Sequence, residues 1–84
     1  MGTRVTSERV VQVARVETAL RQQGFTQFRV RWHQLEPGVM ARVEVDAQEL
    51  ARLATPSVRS EVRRVARHAG FKWVVLDLFG YGES

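Results

Sequence analysis

Arg29 and Arg31 stand two apart in the run Phe28-Arg29-Val30-Arg31-Trp32-His33. In an extended strand, residues i and i+2 leave the same face about 7 Å apart. Two guanidinium forks at that separation can clamp one phosphate or carboxylate between them. The same alternation is also how a half-covered strand wets its outer face, so spacing leaves both readings open. Arg42 and Glu44 repeat the pattern in a second alternating run, where cross-strand Arg–Glu pairing favours the structural alternative. Glu17 falls inside the helical arc of Val10, Val13, Val16 and Leu20, a position that calls for an apolar side chain. A carboxylate there must meet an arginine or a cation, or sit at the edge of the stripe in water. Arg29 and Arg31 are therefore the candidate anion-binding pair, and Glu17 and Glu44 the candidates for a metal or ionic cluster. Trp32 and Trp73 read as core or interface anchors, or as surfaces on which a base could stack.

Other chemistries find little support. The chain has no cysteine, which removes disulfides, thiolate zinc sites, iron–sulfur clusters and a cysteine nucleophile. His33 and His68 are on different elements without metal-binding spacing, and His68 reads as solvent-facing near a helix C-terminus. No phosphate-binding glycine loop, dinucleotide fingerprint or nucleophile elbow occurs, and the RNA-recognition aromatic–basic octamer is absent. An enzyme acting alone is not expected.

The elements that position these residues can be read from periodicity. A first helix is predicted from a cap at Thr6 or Ser7 to a left-handed stop at Gly24. A strand from Phe25 or Thr26 to His33 follows, turned by Leu35-Glu36-Pro37-Gly38 into a second strand over Val39 to Val45. Asp46 to Leu53 reads as a short helical turn or an extended helix start. Thr55-Pro56-Ser57 opens another helix, which carries the stripe Val58, Val62, Val65, Ala66 and Ala69 and stops at Gly70. The apolar run Phe71 to Phe79 predicts a third strand, interior or bearing a partner surface. The fold class is thus α+β in the order α-β-β-α-β, a three-stranded sheet with two helices on one face. This is a ferredoxin-like arrangement lacking its first strand. If the helices cover Phe28, Val30, Trp32 and the Val39–Val45 set, then Arg29, Arg31, His33, Arg42 and Glu44 share the open face.

Residues 1–84 leave room for a single domain, small enough that docking or self-association is expected. The net charge is +4, and twelve of the thirteen basic residues are arginine. That bias suits carboxylate and phosphate partners, or simply solvates the surface. Without an apolar run long enough for a membrane span or a signal-peptide core, a cytoplasmic location is expected.

Several short segments resemble one known family. Gly2-Thr3-Arg4-Val5-Thr6, Val16-Glu17, Leu20-Arg21 and Gly24-Phe25 are similar to the start of the C-terminal domain of LarE-type PP-loop proteins. These are the ATP-dependent sacrificial sulfur transferases of nickel-pincer nucleotide synthesis. The likeness continues through Arg29-Val30-Arg31, His33, Ala41-Arg42-Val43-Glu44-Val45, Gly70-Phe71-Lys72, Leu76-Asp77-Leu78 and Gly80-Tyr81. In this family the PP-loop domain binds ATP, adenylates a pyridinium carboxylate mononucleotide and gives up sulfur from its own cysteine. The C-terminal domain helps build the oligomer and lends charged residues to the site. The resemblance implies that Arg29 and Arg31 hold phosphate, and that Glu17 and Glu44 orient them or bind a cation. It covers neither the PP-loop domain nor the donor cysteine, so ATP and the nickel-pincer precursor would be handled only by a catalytic partner. Gly82 replaces the family's arginine after Gly-Tyr, and Gln34 to Gly38 makes a longer turn.

The leading expectation is a non-catalytic accessory or oligomerisation module that presents its Arg pair to a phosphorylated small molecule or a PP-loop chain. A small nucleic-acid-binding domain using the open sheet face is the second reading. The third is a ligand-free homodimer that meets through the third strand and Trp73.

Overall fold

The computed structural model describes residues 2–82, with side chains from residue 7 to residue 82. The elements are α1 (Gly2–Gln22), β1 (Phe28–Gln34), β2 (Val39–Val45), a 3-10 turn (Ala47–Glu49), α2 (Leu50–Leu53), α3 (Pro56–Ala69) and β3 (Trp73–Leu76). The class is α+β and the principal order α-β-β-α-β, as the periodicity predicts. β2 is central, antiparallel to β1 and parallel to β3. A ferredoxin-like split βαβ unit places another strand between its two parallel members. Here that strand is missing and β2 and β3 pair directly.

Both long helices end in the same way, for the same reason. Gly24 and Gly70 have φ of 91° and 107°, a left-handed conformation open to glycine. Phe25 N–H donates to Leu20 O and Gly24 N–H to Arg21 O; Phe71 N–H donates to Ala66 O and Gly70 N–H to Arg67 O. These are two Schellman caps, each followed by a buried phenylalanine that seats the chain on the core. The repeated Gly-Phe junction is therefore a repeated stop signal. Pro56 occupies the first turn of α3 and Thr55 its N-cap position, although the Thr55 hydroxyl donates back to Arg52 O instead of capping.

α1 and α3 lie side by side over one face of the sheet. Val16, Ala19 and Leu20 from α1 and Val58, Val62 and Ala66 from α3 close on Val30, Ala41, Val43 and Val45, with Leu53 at the edge. Burial of the valine and leucine side chains stabilises by about 1.5–3 kcal/mol each, so this layer holds the domain together. One corner is polar: Trp32 Nε1 donates to Gln12 Oε1 at 2.8 Å, and Gln12 Nε2 donates to Ala69 O at 3.1 Å. This bridge joins β1, α1 and the end of α3, and Arg9 covers the indole at 4.1 Å.

Three sequence expectations are corrected. α1 begins at Gly2, so Thr6 and Ser7 lie within the helix, and the Thr6 side chain is outside the described residues. Because α1 then runs for 21 residues, about 31 Å, it overhangs strands of seven, and Val10 is 60% exposed instead of joining the core stripe. β3 is an edge strand of four residues, neither interior nor extending from Phe71 to Phe79. Its apolar run ends in a turn that leaves Leu78 and Phe79 at 78% and 75% exposure. Among the described residues, no helix is long and apolar enough to cross a membrane.

Candidate functional site

The pleat sends Arg29, Arg31 and His33 of β1 to the face away from the helices, opposite Glu44, Arg42 and Met40 of β2. The parallel register adds Trp73 and Val75 of β3 to that face, and Asp77 follows just beyond the strand. Arg31 and Arg42 are direct cross-strand partners, and like charges so placed repel. Glu44 resolves the conflict. Its Oε2 lies 3.0 Å from Arg42 Nη1 and 3.4 Å from Arg31 Nε, the first a good hydrogen bond and the second a longer ionic contact. The Glu44 side chain is 1% exposed, whereas those of Arg31 and Arg42 are 39% and 28% exposed. A carboxylate withdrawn from water is thus capped by two guanidinium groups that remain partly in it, which limits its desolvation cost.

Arg42 is the hub of the face. Nη1 also donates to Asp77 Oδ2, and Nε donates to His33 Nε2 at 3.2 Å. Asp77 Oδ1 accepts the backbone N–H of Phe79 at 2.9 Å. That N–H, with the Arg42 guanidinium, holds the Asp77 carboxyl below the usual carboxylate range. The chain beyond β3 continues along β2: Asp77 N–H donates to Val43 O and Tyr81 N–H to Val45 O. Gly80 passes so close that a Cβ there would lie 3.0 Å from Val45 O. This strap brings the Tyr81 ring within 5.6 Å of the Arg29 guanidinium.

The structure therefore places Arg29, Arg31 and Glu44 on one face, joined by Arg42, Asp77 and His33. Arg29 is exposed and has a ring contact but no acidic partner among the described residues. Arg31 meets Glu44 through Nε, and its side chain remains 39% exposed. Among the described residues, three arginines against two carboxylates give this face one excess positive charge. Such a face can receive a phosphate or carboxylate at its Arg29–Arg31 edge.

Glu17 does not join them. It is half-buried on α1, at the edge of the helical layer on the reverse of the sheet, so Glu17 and Glu44 share no ion. Trp32 also faces the helices, committed to Gln12, and is a packing anchor. Trp73 is half-buried on the open face with the Lys72 ammonium 5.5 Å from its ring, so it keeps a contact surface. The sequence reading passed over Arg42 as a hub and Asp77 as its partner. The available signal was a single acid in the apolar run Trp73-Val74-Val75-Leu76-Asp77-Leu78-Phe79, two positions beyond Val75 and hence in phase with the open face.

No family model matches the chain. An uncharacterized protein of Synechocystis sp. is 32% identical to it over 80 residues, a match that covers 95% of this chain. The chain spans 28% of the length of that relative.

Proposed function

We propose that this domain is a non-catalytic accessory and oligomerisation module, related to the C-terminal domain of LarE-type sulfur transferases and working in the cytoplasm. It presents Arg29 and Arg31 to a phosphate-bearing ligand or to a PP-loop partner. ATP and the nickel-pincer precursor bind to that partner and not to this domain. The observation that carries the reading is the buried Glu44 beneath Arg31 and Arg42. It holds Arg31 by its Nε, while the Arg31 side chain stays partly exposed and Arg29 stays exposed beside the Tyr81 ring. Pre-orientation of this kind lowers the ordering cost of binding a small anion. The match to less than a third of a longer relative also suits a unit that serves a larger assembly.

Calorimetric titration with inorganic phosphate and a pyridine mononucleotide, on the wild type and on Arg29→Ala with Arg31→Ala, tests the reading. Millimolar or tighter binding should fall at least tenfold in the double variant, with the circular dichroism melt nearly unchanged. Binding that survives the double substitution, or no binding by the wild type to either probe or to a PP-loop chain, would overturn it. A collapse of the melt would assign these arginines to structure instead.

A further inference from the structure

We propose a second docking surface, independent of the first: the outer edge of β3, which receives an acidic extended segment of a partner protein as an added strand. Three observations meet there. First, β3 ends the sheet, so one side of it has no strand neighbour. Even-numbered residues of β2 hydrogen-bond to β1, in phase with the Asp46 N–H bond to Gln27 O, and odd-numbered ones to β3, where Asp77 N–H bonds Val43 O. Trp73 and Val75 therefore pair inward, and alternation turns the N–H and C=O groups of Val74 and Leu76 outward. Unpaired edge groups of this kind are a template for another strand.

Second, a groove of about 370 Å³ runs beside this edge, with Leu53, Val62, Val74 and Leu76 in its floor. A further hollow of about 220 Å³ continues it past Ala66, Phe71 and Trp73. Third, the rim is basic. Arg59 and Arg63 line the first hollow, and Arg63, Arg67 and Lys72 the second. Arg59, Arg63 and Arg67 follow one another at four-residue spacing on α3 and are exposed. Among the described residues none of the three has an acidic partner, in contrast to Arg31, Arg42, Arg52 and Arg64.

The dimensions suit one occupant. Arginines four residues apart on a helix rise about 6 Å each, and same-face residues of a strand repeat at about 6.7 Å. A strand laid along β3 would turn alternate side chains toward the α3 ridge. Glutamates there would cover Leu53 and Val62 with their methylene groups and meet the guanidinium groups with their carboxylates. A second copy of this chain fits poorly. Pairing β3 with itself brings one arginine ridge against another, in a chain of net charge +4. A nucleic-acid backbone fits no better, because phosphates would face the outward carbonyls of Val74 and Leu76.

The test uses a fluorescein-labelled peptide of alternating Val and Glu, its Val–Lys counterpart, and the Val–Glu peptide N-methylated at alternate residues. Anisotropy should show binding of the Val–Glu peptide to the wild type, weakened at least tenfold by Arg59→Ala, Arg63→Ala and Arg67→Ala together. The Val–Lys and N-methylated peptides should bind at least tenfold more weakly, a readout that does not depend on any variant folding. Hydrogen exchange at the Val74 and Leu76 amides should slow at least tenfold on binding. Equal affinity for all three peptides, unprotected amides, or concentration-dependent dimerisation that slows exchange at the same amides would overturn the proposal. Tighter binding of single-stranded DNA at the groove, with those amides unprotected, would overturn it in favour of a nucleic-acid partner.

Discussion

The open sheet face and the α3 ridge both carry three arginines, yet their surroundings are opposite. On the sheet, Arg31 and Arg42 converge on Glu44, and Arg42 reaches on to Asp77 and His33. On the helix, Arg59, Arg63 and Arg67 have no ion pair among the described residues and stand beside an apolar floor. The lesson is that density of positive charge is a poor guide to its role. What separates the regions is whether a withdrawn carboxylate has already claimed the guanidinium groups. In the first region two of the three arginines help to hold the sheet, and the surplus faces outward. In the second the whole charge is free to act.

Substitutions that remove the carboxylate or the arginines put this contrast to the test. Glu44→Ala should be the most damaging, because it leaves Arg31 and Arg42 facing one another across the strands. We expect a loss of about 2–3 kcal/mol, or roughly 10–20 °C in melting temperature for a domain of this size, read by circular dichroism. Glu44→Gln should lose clearly less, since the amide oxygen still accepts a hydrogen bond. Arg42→Ala comes next, at about 1–2 kcal/mol, as Glu44 keeps Arg31 and Asp77 keeps the Phe79 N–H. By contrast, Arg59→Ala, Arg63→Ala and Arg67→Ala together should move stability by no more than about 0.5 kcal/mol per site. A loss matching that of Glu44→Ala would erase the distinction between the two regions.

Acid titration sharpens the same point. The Asp77 carboxyl titrates below its unfolded value, because the Phe79 N–H and Arg42 favour its charged form. Its contribution is therefore fully present above an unfolded pKa near ~3.9 and is lost as pH falls through the lower folded value. The wild type should melt above Asp77→Asn by a constant margin from pH 5 to 7, and that margin should close below about pH 4. A margin that persists in acid would assign the Asp77 effect to shape instead of charge. Arg29→Ala should have the smallest effect of all, within about 0.5 kcal/mol, since it forfeits only a partly exposed contact with the Tyr81 ring.

Much of this was legible in the sequence because it is local. The bounds of β2 follow from its alternation and the Pro-Gly turn, and the glycine stops at Gly24 and Gly70 from the need for left-handed backbone. The common face of Arg29, Arg31, Arg42 and Glu44 follows from the two-residue pleat. The rest depends on contacts between distant segments. That β3 pairs at the edge and not the middle is decided by which strand β2 chooses after the α3 crossover. Arg42 reaches Asp77 across 35 residues, a distance no periodicity spans. Glu17 and Glu44 look alike as lone acids among valines, but only Glu44 has an arginine across the strand. The spacing of Arg59, Arg63 and Arg67 was visible, but a helical charge row gains meaning only beside an unpaired sheet edge.

Glu44 sits between Val43 and Val45 in a strand whose other face is the floor of the core. Were β2 to slide by a single residue against β1, the pleat would drive that carboxylate under α1 and lift the valines into water. Arg42, two residues away on the same strand, would be carried under with it, away from Asp77 and Arg31. The hairpin is thus keyed: Arg42 and Glu44, set among Val39, Ala41, Val43 and Val45, admit a single alignment. A misaligned sheet would forfeit both its ion pairs and its valine packing.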